Sequence, residues 1–241
     1  MGHLARGVRC YVVVVLVQVV AVWPAVAEEA AGASVPSREA YEATPAGPAR
    51  VTAPRLQLVW IDVLRSAPYA YAAASREAAA ILSAAGVEAA WTAGDPSTIT
   101  GDTELKIVLM AAAANGAGLP TRVMGSTLRG GQSRTAWIYF SNVLWALGLP
   151  DRGARGLSRS QEDRVALALG RVIAHEVVHA VAPELPHSRT GLMARTIGRS
   201  LLLQARVALA PAEQRALLTG VAAFLAPPAA AGDAVARAAW R

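Results

Sequence analysis

The sequence has little cysteine, little lysine and few aromatic side chains. Cys10 is its one cysteine in 241 residues, which excludes a scaffold held together by disulfide bonds. Lys106 is its one lysine beside 22 arginines, a bias that we attribute to genomic composition before nucleic-acid binding. The hydrophobic fraction of 54% excludes a generally disordered chain, and the length suits one domain with tails.

The N-terminus has the features of a secretory signal peptide. Arg6 and Arg9 precede an apolar stretch over residues 11–23, and a proline and an Ala-Val-Ala sequence that ends at Ala27 follow. The stretch is short for a membrane span, so an uncleaved anchor is the weaker alternative. Residues 1–27 are therefore predicted to be removed by cleavage after Ala27. The mature protein is then expected to be secreted or periplasmic, without cysteine, without a nucleic-acid partner and without a stable membrane span.

The remaining chain divides into a flexible leader over residues 28–50, a domain over 51–225 and a disordered tail over 226–241. Apolar periodicity and turn residues predict an α+β fold, a mixed sheet of about five strands packed against two long helices. The predicted strands cover residues 56–63, 87–92, 105–113, 121–128 and 135–143. The predicted helices cover residues 68–85, the stretch from Ser160 (or from Ser158 as the alternative N-cap) to just before Pro183, and residues 212–224.

The second long helix contains the sequence His-Glu-Val-Val-His at residues 175–179. Residues four apart lie on one helix face, so His175 and His179 can bind one metal ion, with Glu176 placed to accept a proton from water. Two ordinary histidines and a salt-bridging glutamate are the alternative. Against it, every histidine after the signal peptide lies between residues 175 and 187, and a proline ends the helix soon enough for the chain to return His187.

These residues resemble the metzincin clan of zinc peptidases. The resemblance lies in His175-Glu176-x-x-His179, the downstream His187 and the segment Gly191-Leu192-Met193. It implies a zincin fold, zinc held by the three histidines, Glu176 as the general base and a methionine turn at Met193. Only residues 175–193 match specifically, although the upstream order of strands and helix is similar in outline.

The spacing departs from the clan's pattern. Ala182 stands where the clan has a glycine, and His187 follows His179 by eight residues, two more than usual. The third ligand therefore has rivals in Glu184 and Glu213. An acid in the first turn of a helix is already explained by the helix dipole, which weakens the case for Glu213. These departures indicate an atypical branch of the clan or a related zincin.

Two further features concern the substrate. The segment 123–128 is predicted to form an edge strand, which either binds an extended peptide by strand addition or binds nothing. The side chains of Trp137, Tyr139 and Trp145 are interpreted as core or as pocket wall.

The sequence thus predicts an exported zinc metalloendopeptidase that acts on peptides or proteins. The alternatives are an exported zinc-binding module that has lost turnover and a structural protein without metal. Oligomeric state, substrate specificity and the role of the leader stay open.

Overall fold

The structure is a computed structural model that describes residues 52–95, 101, 103–111, 123–128, 132–150 and 156–226. The predicted signal peptide, the leader and all but the first residue of the predicted tail lie outside these residues. The strands are β1 (Arg55–Asp62), β2 (Glu88–Gly94), β3 (Glu104–Met110), β4 (Gly125–Thr127) and β5 (Thr135–Tyr139). The helices are α1 (Tyr71–Ala84), α2 (Phe140–Ala146), α3 (Arg159–Val181), α4 (Arg199–Leu202) and α5 (Pro211–Leu225).

The five strands form one mixed sheet, as predicted. Their order is β2-β1-β3-β5-β4, and all neighbours are parallel except β4, which pairs antiparallel with β5. Within the described residues β4 is therefore the edge strand on the side of β5. The observed β4 covers three residues of the predicted segment 121–128, whose first two residues lie outside the described part.

The hydrophobic core lies between one sheet face and the helices. Alternate residues of β1 and β3 are buried in it, because side chains one apart on a strand point to opposite faces. Each large aliphatic side chain so buried contributes about 1.5–3 kcal/mol to folding. The residues are Leu56, Leu58, Trp60, Leu105, Ile107 and Leu109.

The helices α1 and α3 pack closely at Gly170. A Cβ atom at this position would lie 2.6 Å from the carbonyl oxygen of Ala74, so only glycine permits the observed contact. The α5 helix packs on α3 from another side. No helix in the described part of the chain is long and apolar enough to cross a membrane.

Two of the element boundaries that differ from the sequence predictions have a clear physical reason. The strand predicted over residues 135–143 ends at Tyr139, and α2 begins at Phe140, where Ser141 N donates to Ala111 O at 2.9 Å. The apolar run gave no signal for this change, because a buried strand and a short buried helix have the same composition.

The second boundary is the start of α3. Ser158, the alternative in the prediction, is the N-cap, and its backbone N donates to Gln161 Oε1 at 2.8 Å. Gln161 N in turn donates to Ser158 Oγ at 3.4 Å. The reciprocal pair needs Gln or Glu three residues after the serine, and Ser160 has Asp163 there.

Arg171 joins the sheet-and-helix part to the chain that follows α3. Its side chain is 1% exposed, and Nε donates to Glu77 Oε1 of α1 at 2.8 Å. Nη1 and Nη2 donate to the carbonyl oxygens of Leu201 at 2.7 Å and Gln204 at 2.6 Å. The guanidinium therefore fixes the segment around α4 against α1 and α3.

Candidate metal centre

The C-terminal half of α3 carries His175, Glu176 and His179. His175 and Glu176 are each 6% exposed, and His179 is half-buried. The ring centroids of the two histidines are 4.7 Å apart, as expected for residues one helical turn apart. The helix thus presents two imidazoles side by side toward the surface.

His187 joins this pair from the loop after α3. The helix ends at Val181 with Ala182 as its C-cap, and Leu185 N donates to Ala182 O at 3.0 Å, so the chain turns back at once. His179 Nε2 and His187 Nε2 are 3.1 Å apart. One nitrogen from each of the three rings lies within 4.8 Å of the others.

A backbone hydrogen bond orients His175. Its Nδ1 donates to Leu192 O at 2.8 Å, which leaves Nε2 as the nitrogen with a free lone pair. Burial lowers the pKa of this imidazole to about 4, although the bond to Leu192 offsets part of that shift. The ring is therefore neutral at ordinary pH, as a metal ligand must be.

The acceptor Leu192 belongs to a tight turn that ends near Met193. Ser188 N donates to Met193 O at 2.8 Å, and Ser188 and Ala194 form an isolated β-bridge. Met193 is completely buried in the core. The turn thereby links the residue after His187 to the carbonyl that holds His175.

Glu176 lies against the edge strand. A Cβ atom on Gly125 of β4 would lie 2.5 Å from Glu176 Cγ and 2.7 Å from Oε1, so the two residues meet only because residue 125 is glycine. Burial raises the pKa of the Glu176 carboxyl to about 8. Sequence analysis missed Gly125, although a glycine inside a strand is a known signal of close approach.

The rival ligands do not join the cluster. Glu184 is exposed and is not among the residues whose ligand atoms converge in the described part of the chain. Glu213 Oε2 accepts a hydrogen bond from Ala210 N at 2.8 Å, so this carboxylate caps α5. The helix-end explanation of Glu213 agrees with this geometry.

The three aromatic residues have different surroundings. Tyr139 is buried and its hydroxyl is 2.7 Å from Ser126 Oγ, while Trp137 is half-buried. Trp145 is 58% exposed on α2, so the alternative that placed it in the core was wrong. The prediction treated residues 135–143 as strand and did not foresee the helix that turns this ring outward.

Comparison with known proteins gives weak structural similarities, among them the following two. No family model matches the chain, and no curated protein sequence does. The chain is similar to archaemetzincin from Methanopyrus kandleri, with 13% identity and a TM-score of 0.48, over 73% of this chain and 99% of that one. It is also similar to metalloproteinase-II from Bacteroides fragilis, with 12% identity and a TM-score of 0.43, over 72% of this chain and 55% of that one. Because both similarities are weak, the function proposed below rests on this chain's own side chains.

Proposed function

We propose that the protein is an exported, zinc-dependent peptidase of the zincin type. The observation that carries the proposal is the convergence of His175, His179 and His187 beside the buried carboxyl of Glu176. Three imidazoles with a neighbouring carboxyl form the side-chain set of catalytic zinc sites, which leave one coordination position for water or substrate.

The donor atoms fit a zinc ion. Nitrogens bound at about 2.0–2.1 Å to a tetrahedral ion lie about 3.3 Å apart. The separation of 3.1 Å between the Nε2 atoms of His179 and His187 agrees with this value. The hydrogen bond from His175 Nδ1 to a backbone carbonyl is the outer contact that zinc-binding histidines generally make. His175, His179 and His187 would therefore hold the ion.

A zinc ion bound there supplies a Lewis acid that lowers the pKa of water and polarises the scissile carbonyl. Glu176 supplies the proton transfer. Its carboxylate takes the proton of the attacking water and then delivers it to the departing amide nitrogen, so the group ends each cycle in its starting form. Burial raises its pKa toward neutrality, which favours both the acceptance and the release of a proton near pH 7.

The position of β4 at the edge of the sheet is an argument that the substrate is a peptide. Among the described strands its one hydrogen-bonded neighbour is β5, which leaves its other edge for an extended peptide to join by strand addition. Gly125 lies on this strand in contact with Glu176, so a peptide added there would run past the general base. The same glycine offers the peptide an edge without a side chain.

Export and endopeptidase action complete the proposal. The charged start, apolar stretch and Ala-Val-Ala sequence before residue 28 support secretion or periplasmic localisation. An edge strand binds the middle of an extended chain as readily as its end, which supports internal cleavage.

The deciding experiment measures hydrolysis and zinc content on the same preparations. We expect the purified chain to cleave an unfolded protein such as casein, to carry one zinc ion and to lose activity with a chelator. Glu176→Ala should lower the rate at least about 1,000-fold while zinc stays bound. His187→Ala should lose zinc as well. A zinc-loaded chain that cleaves nothing would instead be the binding module without turnover, and full activity in Glu176→Ala would show that the base is misassigned.

A further inference from the structure

The net positive charge of the described residues lies in the segment 182–210, which follows α3 and contributes His187 to the metal centre. The described residues contain thirteen arginines and lysines and ten acidic residues. Within residues 182–210 there are four arginines and one acid, Glu184, whereas the other described residues carry nine of each. The excess of three positive charges therefore resides in this one segment. Its arginines are Arg189, Arg195, Arg199 and Arg206, all exposed.

Two of these arginines lie in the turn next to His187. Arg189 follows His187 by two residues, and Arg195 N donates to Ser188 O at 3.4 Å, which places its backbone beside the residue after His187. The same turn supplies Leu192 O to His175. Neither guanidinium makes an ion pair or a side-chain hydrogen bond with another described residue.

The opposite arrangement holds at the N-terminal end of α3. There the exposed Arg159 is paired with Glu162 at 3.9 Å and with Asp163 at 3.6 Å, so charges of both signs neutralise one another. The turn at residues 188–195 contains two arginines and no acid. Arginine presents a planar fork that binds a carboxylate through two parallel hydrogen bonds. A surface of one sign beside a reaction centre also concentrates substrates of the opposite sign.

From this distribution we infer that Arg189 and Arg195 select substrates with a carboxylate close to the scissile bond. The inference rests on the proposed peptidase function and adds the substrate class to it. The carboxylate belongs either to an aspartate or glutamate side chain or to the free C-terminus of a peptide, and the chemistry of recognition is the same for both. The edge strand, whose described residues 123–128 carry no charge, contributes the sequence-independent part of binding.

The test measures binding to the zinc-loaded Glu176→Gln protein, in which turnover is suppressed. Three labelled peptides share one parent sequence: a neutral peptide with an amidated C-terminus, the same peptide with two central glutamates, and the neutral peptide with a free C-terminus. Fluorescence anisotropy gives the Kd of each. We expect at least one carboxylate peptide to bind about tenfold more tightly than the neutral amide at low salt. At roughly 0.5 M salt most of this advantage should disappear.

Variants assign the effect to the two arginines. Adding Arg189→Gln and Arg195→Gln should reduce the advantage to about twofold or less, at unchanged zinc content. Arg215→Gln on α5 is the matched control, because Arg215 is exposed but lies outside the segment, and it should keep the full advantage. Tighter binding of the peptide with central glutamates than of the neutral amide identifies side-chain recognition. Tighter binding of the peptide with a free C-terminus identifies recognition of the chain end. Both results support the inference.

Equal binding of all three peptides overturns it, as does an advantage that survives both substitutions, or no binding at all. Cleavage of the neutral peptide by the wild-type protein is measured separately. Chelator-sensitive cleavage without any carboxylate advantage rejects the inference alone, whereas carboxylate-selective binding without cleavage of any peptide rejects the peptidase function alone.

Discussion

The chain before Ala182 and the chain after it build the site in different ways. From β1 to the end of α3, most of the described backbone lies in a five-stranded sheet and in helices whose buried faces form one core. From Ala182 to Ala210 the one helix is the four-residue α4, and the rest is turns. The regular part contributes two histidines and the glutamate, and the irregular part contributes His187 and the orienting carbonyl. Periodic packing therefore fixes the position of Glu176, and a few specific hydrogen bonds fix that of His187.

Loss of Arg171 should damage the connection between these two regions most. Arg171→Met removes three hydrogen bonds and leaves Glu77 and two backbone carbonyls without their donor. Breaking such a buried pair costs about 3–5 kcal/mol, which chemical denaturation of the zinc-free protein would measure. Hydrogen exchange should show residues 199–204 opening before α3 does. A loss below about 1 kcal/mol would mean that the segment is held by packing alone.

Gly125→Ala tests how accurately the regular region places the base. The new Cβ would lie 2.5 Å from Glu176 Cγ, so the carboxyl must move. A displacement of this kind should lower kcat about 100-fold while zinc content stays the same. Gly198→Ala is the matched control, because nothing lies within 4 Å of a Cβ there and its φ is −90°. Unchanged kcat in Gly125→Ala would separate Glu176 from catalysis.

The metal-free stability of the wild-type protein should depend on pH in a way that Glu176→Gln removes. Burial raises the pKa of the Glu176 carboxyl from 4.5 to about 8, so folding favours its protonated form. Wild-type stability is therefore lost, relative to Glu176→Gln, as the pH rises from about 4.5 to 8. The difference in unfolding free energy should change by roughly 4 kcal/mol over this range. A difference that stays constant over this range would contradict the burial of an ionisable carboxyl at position 176.

Ser158→Ala should give the smallest effect, since it alters one end of the regular region far from the histidines. The substitution removes the acceptor for Gln161 N and should cost about 1 kcal/mol, measured by denaturant unfolding. Ser160→Ala, two residues on, should cost clearly less. If the two costs were reversed, α3 would begin at Ser160.

The success of sequence prediction follows the same division. The five-stranded mixed sheet was predictable because alternation and apolar runs reflect burial directly, and β1 and β3 show it clearly. The end of β5 and the exposure of Trp145 were not, because tertiary contacts of α2 decide them. The spacing of His175 and His179 needed only helical geometry.

For His187, the sequence identified the residue as a candidate but did not predict the hydrogen bonds that position it. His187 was identified by the clustering of histidines, yet its distance from His179 depends on a turn whose hydrogen bonds join backbone atoms. The contact between Gly125 and Glu176 links positions 51 residues apart; a glycine inside a strand signals a close approach but does not identify the partner. The hydrogen bonds of Arg171 could not be predicted for the same reason, because its partners lie in α1, in α4 and just after α4.

The hydrogen bond to Leu192 has an evolutionary consequence. Its acceptor is a main-chain oxygen, which every amino acid possesses, so substitution at position 192 cannot delete it as long as the turn keeps its shape. Comparison of homologous sequences would accordingly show histidines kept at 175, 179 and 187 and drift at the position that aligns the first of them. The orientation of His175 is therefore conserved through the backbone conformation of the turn and not through the identity of the residue at position 192.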